Sequence, residues 1–282
     1  MSKAKQAIWD SQFRYKKGLG QNFIYDEALL QELVDASGVT ADDGVLEIGP
    51  GSGSMTALLA KKCRQVIALE LDETLLPILR VTLAAHSNVT VVQGDVLKSD
   101  LREITVPLGD QFCVVANIPY YITSPLLSLL LSGSLPISLM AVMVQKEVAD
   151  KIMARPGTDE YGMLAVRAQY HCQPYIAKNV PAQAFTPPPK VDSAFVVMPF
   201  LQTPAVSVKN EDTFFRMAGA AFLMRRKTML NNLQSAFSMT REVAKELLSS
   251  CGLDERVRGE TLDLETFAAL ADAYDHAGNN VG

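Results

Sequence analysis

The sequence predicts an α/β protein: a mostly parallel sheet with helices on both faces, followed by a smaller all-helical domain. Three observations predict it. Short apolar runs alternate with helix-compatible segments from Val45 to Phe200. The first run, Val45-Leu46-Glu47-Ile48, breaks into the alternating glycines Gly49, Gly51 and Gly53 before a helical segment, which is the grammar of a strand, a tight turn and a helix. Beyond about Ser207 no strand candidate remains.

Taken in order, residues 1–20 read as a flexible basic arm, with Lys3, Lys5, Arg14, Lys16 and Lys17 against Asp10, and with Trp9 and Phe13 as anchors. Asp26 is placed to cap a helix from Glu27 to Ser37, which presents Leu29, Leu30, Leu33 and Val34 on one face. After the glycine turn, strands are expected at Val66–Glu70, Val89–Asp95, Phe112–Asn117 and Leu139–Gln145. Helices are expected over 54–62, 72–85, 124–132 and 146–154, with Pro77 marking a kink. A helix from Tyr161 to Tyr170 leads to strands at Tyr175–Val180 and Ser193–Phe200. Between those strands lies a proline-stiffened loop, Phe185-Thr186-Pro187-Pro188-Pro189-Lys190. Helices over Phe214–Leu233, Arg241–Cys251 and Asp263–Ala273 complete the chain, and a short polar tail ends it. The expected domains are therefore 21–207, carrying the sheet, and 208–282, helical.

Composition bounds the function. With 282 residues, 48% hydrophobic and 20% charged, this is the make-up of an ordinary globular protein. No apolar run approaches the roughly 20 residues of a membrane span, and the polar, basic first residues lack a secretory core. A cytoplasmic location is expected. Cys63, Cys113, Cys172 and Cys251 are widely spaced, which suits reduced thiols better than a disulfide frame or a metal site. The net charge of −5 argues against indiscriminate nucleic-acid binding. Local patches remain, above all Arg225-Arg226-Lys227 within an apolar helical stretch.

Four successive strands deliver a glycine turn, Glu70, Asp95 and Asn117 to their carboxyl ends, the edge where open α/β sheets bind ligands. A carboxylate at the second strand end can take the hydroxyls of a ribose. The glycine spacing, G-x-G-x-G, is not that of dinucleotide-dependent oxidoreductases, and that class leaves Asn117-Ile118-Pro119-Tyr120 without a role.

Four segments, Gly20-Gln21-Asn22-Phe23-Ile24, the glycine turn, Asn117-Ile118-Pro119-Tyr120 and Phe185-Thr186-Pro187-Pro188-Pro189-Lys190-Val191-Asp192-Ser193, together resemble the ribosomal RNA adenine dimethyltransferases. The likeness covers nearly the whole chain and is strongest to the small-subunit branch. It implies a Rossmann-like S-adenosylmethionine-dependent methyltransferase fold. The implied activity is dimethylation of two adjacent adenosines near the 3′ end of small-subunit (16S) ribosomal RNA, with that RNA or a pre-30S particle as partner and the enzyme acting as a monomer. It assigns the cofactor to Asn22, Ile24, Gly49, Glu70, Asp95 and Asn117. A large-subunit resistance methylase, or a non-catalytic nucleic-acid-binding relative, are the alternatives; retention of Asn117 and Tyr120 argues for catalysis.

The acceptor chemistry needs no strong base, because a methylated amine loses its proton readily. Asn117, or the Ile118 carbonyl, can accept from an exocyclic amine, and Tyr120 can stack on the base. A flipped adenine needs a second wall, and Phe185, in the proline loop, is the expected ring. Arg225, Arg226 and Lys227 are expected to meet RNA phosphates.

Overall fold

The structure, a computed structural model, describes residues 3–11, 13, 15, 16, 18 and 20–278. Arg14 and Lys17 of the basic arm and the last four residues of the tail lie outside the described residues. The chain divides into two compact units, Met1–Ala149 with Gln173–Phe200, and Asp150–Cys172 with Leu201–Gly282.

The first unit contains α1 (Lys3–Asp10), β1 (Phe23–Ile24), α2 (Glu27–Ala36), β2 (Gly44–Ile48), α3 (Ser54–Lys62), β3 (Gln65–Glu70), α4 (Leu76–Leu83), β4 (Val89–Gln93), α5 (Leu101–Thr105), β5 (Phe112–Asn117), α6 (Thr123–Leu130) and β6 (Ile137–Gln145). α7 (Lys146–Met153) crosses the boundary, and β7 (Tyr175–Val180), β8 (Phe185–Thr186) and β9 (Ser193–Pro199) return to the first unit. Seven strands form one sheet in the order β4-β3-β2-β5-β6-β9-β7, while β1 and β8 pair separately. β4, β3, β2, β5 and β6 run parallel; β9 alone is reversed, pairing antiparallel with β6 on one side and with β7 on the other, so β7 runs in the direction of β6. β2 is buried along its whole length, as expected of a strand covered on both faces. β3 and β5 flank it on opposite sides, so the strand order reverses at β2 and opens a crevice beyond its carboxyl end.

Two expectations need correction here. The arm is not loose: α1 buries Ala4 and Ile8, and Ile8 packs with Phe23, Leu75 and Ile78. Trp9, expected as an anchor, is 76% exposed. Pro77 makes no kink, because a 3-10 turn over 73–75 precedes α4 and puts the proline in the first helical turn, where its missing N–H is not needed.

The second unit comprises α8 (Met163–His171), α9 (Glu211–Leu223), α10 (Met229–Phe237), α11 (Arg241–Ser250) and α12 (Leu264–Gly278). Its core includes Tyr161, Tyr170, Phe214, Met217 and Phe267. The boundary expected at 207 therefore moves, because α8 belongs with the helices: Tyr170 stacks on Phe214 at 4.7 Å. The single helix expected over Phe214–Leu233 is two, since α9 stops at Leu223 and Thr228 caps α10 by accepting from the Asn231 N–H.

Candidate active site

Gly49, Gly51 and Gly53 have φ of +71°, +58° and +80°, a region that L side chains avoid. They turn the end of β2 into α3, and a Cβ at Gly51 would come within 2.9 Å of the Phe23 ring. A cleft of about 420 Å³ opens beside this turn. Gly49, Glu70, Asp95 and Asn117, from the ends of four parallel strands, all line it, together with Asn22, Leu71, Val96, Tyr120 and Tyr121.

Glu70 is 6% exposed. Its Oε2 accepts from the Gly51 N–H at 3.1 Å and its Oε1 from the Asp72 N–H at 2.8 Å. Burial pushes its carboxyl up, and the main-chain donors of Asp72, Gly51 and Leu71 oppose that shift. Each carboxylate oxygen has two lone-pair sites, so both retain capacity for a hydroxyl donor in the cleft. Asp95 caps its own turn through Leu97 N–H and pairs with Lys98 at 3.2 Å.

Beneath Glu70 lies a network that sequence reasoning missed. Asp72 is buried and accepts from Lys16 Nζ at 2.7 Å, Gln21 Nε2 at 2.8 Å and the hydroxyl and N–H of Thr74. Burial pushes the Asp72 carboxyl up, but the hydrogen bonds from Lys16, Thr74 and Gln21 outweigh it and hold the group below the usual range. The network ties the amino-terminal segment to the strand end that carries Glu70. The E-x-D spacing of Glu70 and Asp72 was its available signal.

Asn117 donates from Nδ2 to the Asn22 carbonyl at 3.0 Å. That contact fixes the amide's orientation and leaves Oδ1 as an acceptor. Tyr120 is held by a 2.7 Å hydrogen bond between its hydroxyl and Ser193 Oγ. Proline-loop and strand-end motifs thus meet, but through Ser193 rather than Phe185. Phe185 is 3% exposed and packs with Ile24, Leu30 and Val180 in the core. Its ring is not a wall of the cleft, because antiparallel pairing of β8 with β1 sets it opposite Ile24 and turns it inward. Ile24 likewise buries its side chain in that core, behind the glycine turn. Phe23 and Tyr121, the latter 51% exposed, are additional rings that line the cleft.

Glu47, one strand residue before the turn, is buried, and its Oε2 has no hydrogen-bond partner. Burial, with the nearby Glu70 charge adding, pushes its carboxyl up to about 8.

In the second unit, Arg225, Arg226 and Lys227 occupy the exposed turn between α9 and α10 rather than a helix. Arg225 donates to the carbonyls of Asp159 and Tyr161, at 2.7 and 3.1 Å. It braces the fold, while Arg226 and Lys227 stand exposed beside it.

The chain matches the family model for ribosomal RNA adenine dimethylase over residues 12–275. It is 44% identical to the ribosomal RNA small subunit methyltransferase A of Geobacillus thermodenitrificans, covering 93% of this chain and 91% of that protein. Against the protein of the same name from Bacillus mycoides it is 43% identical, over 96% and 95% of the two chains. Among solved structures, a dimethyladenosine transferase from Plasmodium falciparum superposes with a TM-score of 0.78 at 24% identity, over 91% of this chain and 98% of that one. The 23S rRNA methyltransferase ErmE superposes with a TM-score of 0.69 at 26% identity, over 90% and 100%. With its glycine turn, acidic strand ends and Asn117–Tyr120 corner in one cleft, the chain belongs to the ribosomal RNA adenine dimethylase family.

Proposed function

We propose that the chain transfers methyl groups from S-adenosylmethionine to the N6 amines of two adjacent adenosines near the 3′ end of small-subunit ribosomal RNA, as a step in ribosome biogenesis. The orientation of Asn117 is the observation that carries this reading. With one Nδ2 hydrogen engaged by the Asn22 carbonyl, Oδ1 is left as an acceptor for a substrate amine. An exocyclic adenine amine is a poor nucleophile while its lone pair is delocalised into the ring. Accepting one of its N–H bonds favours the pyramidal form, whose lone pair is free to attack.

The cleft fits the methyl donor. The Gly49–Gly51 turn leaves main chain open to an amino-acid end, Glu70 retains acceptor sites for ribose hydroxyls, and Asp95 stands among Leu71, Val96 and Leu97 for an adenine. The bound donor supplies an electrophilic methyl on a sulfonium. Tyr120, oriented by Ser193, offers its face to the target base and to that positive charge. Asn117 holds the amine, and the proton released after transfer passes to water. Arg226 and Lys227 meet phosphates of the RNA. The shared name of the 41–44% identical relatives favours the small subunit over the large.

The purified chain, incubated with methyl-labelled S-adenosylmethionine and small-subunit particles lacking this modification, should label two neighbouring adenosines mapped by primer extension. Asn117→Ala should label none. Label on large-subunit RNA alone, or full activity in Asn117→Ala, would refute the reading.

A further inference from the structure

A second hollow, of about 450 Å³, lies in the first unit, with three of its lining rings in contact with Phe23. Lys5, Ile8, Trp9, Phe13, Tyr15, Tyr25 and Thr186 line it. It shares no lining residue with the cleft. We propose that this recess receives a second, unstacked base of the substrate RNA, the neighbour of the adenosine held in the cleft.

The walls have the chemistry of a base platform. Phe13 and Tyr15 meet edge to face at 5.7 Å, and Tyr15 and Tyr25 join through their hydroxyls at 3.1 Å. These contacts tie Phe13, Tyr15 and Tyr25 to one another. Lys5 and Trp9 stand one helical turn apart on the same side of α1, and Lys5 Nζ lies 5.8 Å from the Tyr25 ring centroid. A cation beside a cluster of aromatic rings suits a nucleotide, with the base on the aromatics and the phosphate near the ammonium. Trp9 stands 76% exposed at the rim, although solvent is a poor environment for an indole face.

Position decides between a nucleotide and another apolar partner. Phe23 is shared: it lines the catalytic cleft and also touches Phe13, Tyr15 and Tyr25, at centroid distances of 6.1, 5.4 and 6.1 Å. Phe23 therefore joins the lining of the cleft to the rings of the recess. On this proposal, a strand that flips one adenosine into the cleft brings its next base to the recess. The inference rests on the proposed action at adjacent adenosines, and it gives that action a geometry: one adenosine reacts while the other is parked.

Trp9 is the only tryptophan of the chain, so its fluorescence reads the recess directly. A short single-stranded RNA carrying two adjacent adenosines should quench it. The same RNA with one of the two bases removed should quench markedly less. Trp9→Ala should weaken binding of the intact RNA, read by anisotropy of a labelled strand, by roughly tenfold. It should not further weaken the abasic strand, and its cofactor affinity and thermal midpoint should stay at wild-type values. Unaltered fluorescence at saturating RNA, or equal quenching by the abasic strand, would overturn the proposal. Quenching by anionic lipid vesicles but not by RNA would overturn it in favour of a membrane contact. Failure of the dimethylation reading would show separately, as absence of methyl transfer by the wild-type chain with the fluorescence response intact.

Discussion

The hydroxyl of Tyr120 and the hydroxyl of Ser193 lie 2.7 Å apart, joining the end of β5 to the start of β9. Ser193 is fully buried, so the bond positions the aromatic ring from a rigid base. Tyr120→Phe leaves Ser193 without this partner, at a cost of about 1 kcal/mol in stability. Methyl transfer should slow severalfold while cofactor affinity holds. Single-turnover kinetics beside calorimetry will separate the two effects.

Glu70→Ala removes the acceptor at the end of β3 and leaves the N–H groups of Gly51 and Asp72 without it. S-adenosylmethionine affinity should fall by about 1–3 kcal/mol, read by titration calorimetry. Unchanged affinity would mean that the ribose is held elsewhere.

Phe185→Ala is expected to behave as a core truncation. A buried phenylalanine cut to alanine costs about 3–5 kcal/mol, which a denaturant midpoint will report. Cofactor affinity of the fraction that remains folded should be near wild type. A stable variant with slow transfer would instead return the ring to the target base.

Glu47 makes stability depend on pH. Its folded-state carboxyl titrates near 8, against an ordinary value of 4.5, so between those limits the folded chain holds a proton that the unfolded chain has released. Stability from this group is therefore greatest at low pH and falls as pH rises through the window, by about 1.4 kcal/mol per pH unit at most. Glu47→Gln, uncharged throughout, should flatten that part of the profile in thermal melts across the window.

The basic turn of the helical unit should separate by residue. Arg226→Ala with Lys227→Ala should lower the slope of RNA affinity against salt by roughly one to two and leave the thermal midpoint unchanged. Arg225→Ala should destabilise the unit, since the carbonyls of Asp159 and Tyr161 lose their donor. Identical salt slopes for the double variant and the wild type would make these cations a solvated surface.

Much of the architecture was legible because β-strands that end in polar residues announce both the sheet and its working edge. Glu70, Asp95 and Asn117 all follow apolar runs, and all reach one cleft. What the sequence hid depends on contacts between distant residues. Lys16 and Asp72 are 56 positions apart, and neither carries a local pattern that pairs them. Tyr170 gave no hint that it would pack on Phe214 and draw α8 into the helical unit. Phe185 lay in the right motif, but β1 pairing turned it towards the core, a choice of strand face that one residue of register decides. Trp9 and Ile8 were adjacent apolar residues, and only helix phase determined which was buried.

The seating of α1 also matters to anyone preparing the protein. Ile8 packs on Leu75, and Leu75 is itself a wall of the catalytic cleft. A purification handle fused ahead of this helix sits next to a segment packed on the wall of the cleft, so activity should be compared before and after its removal.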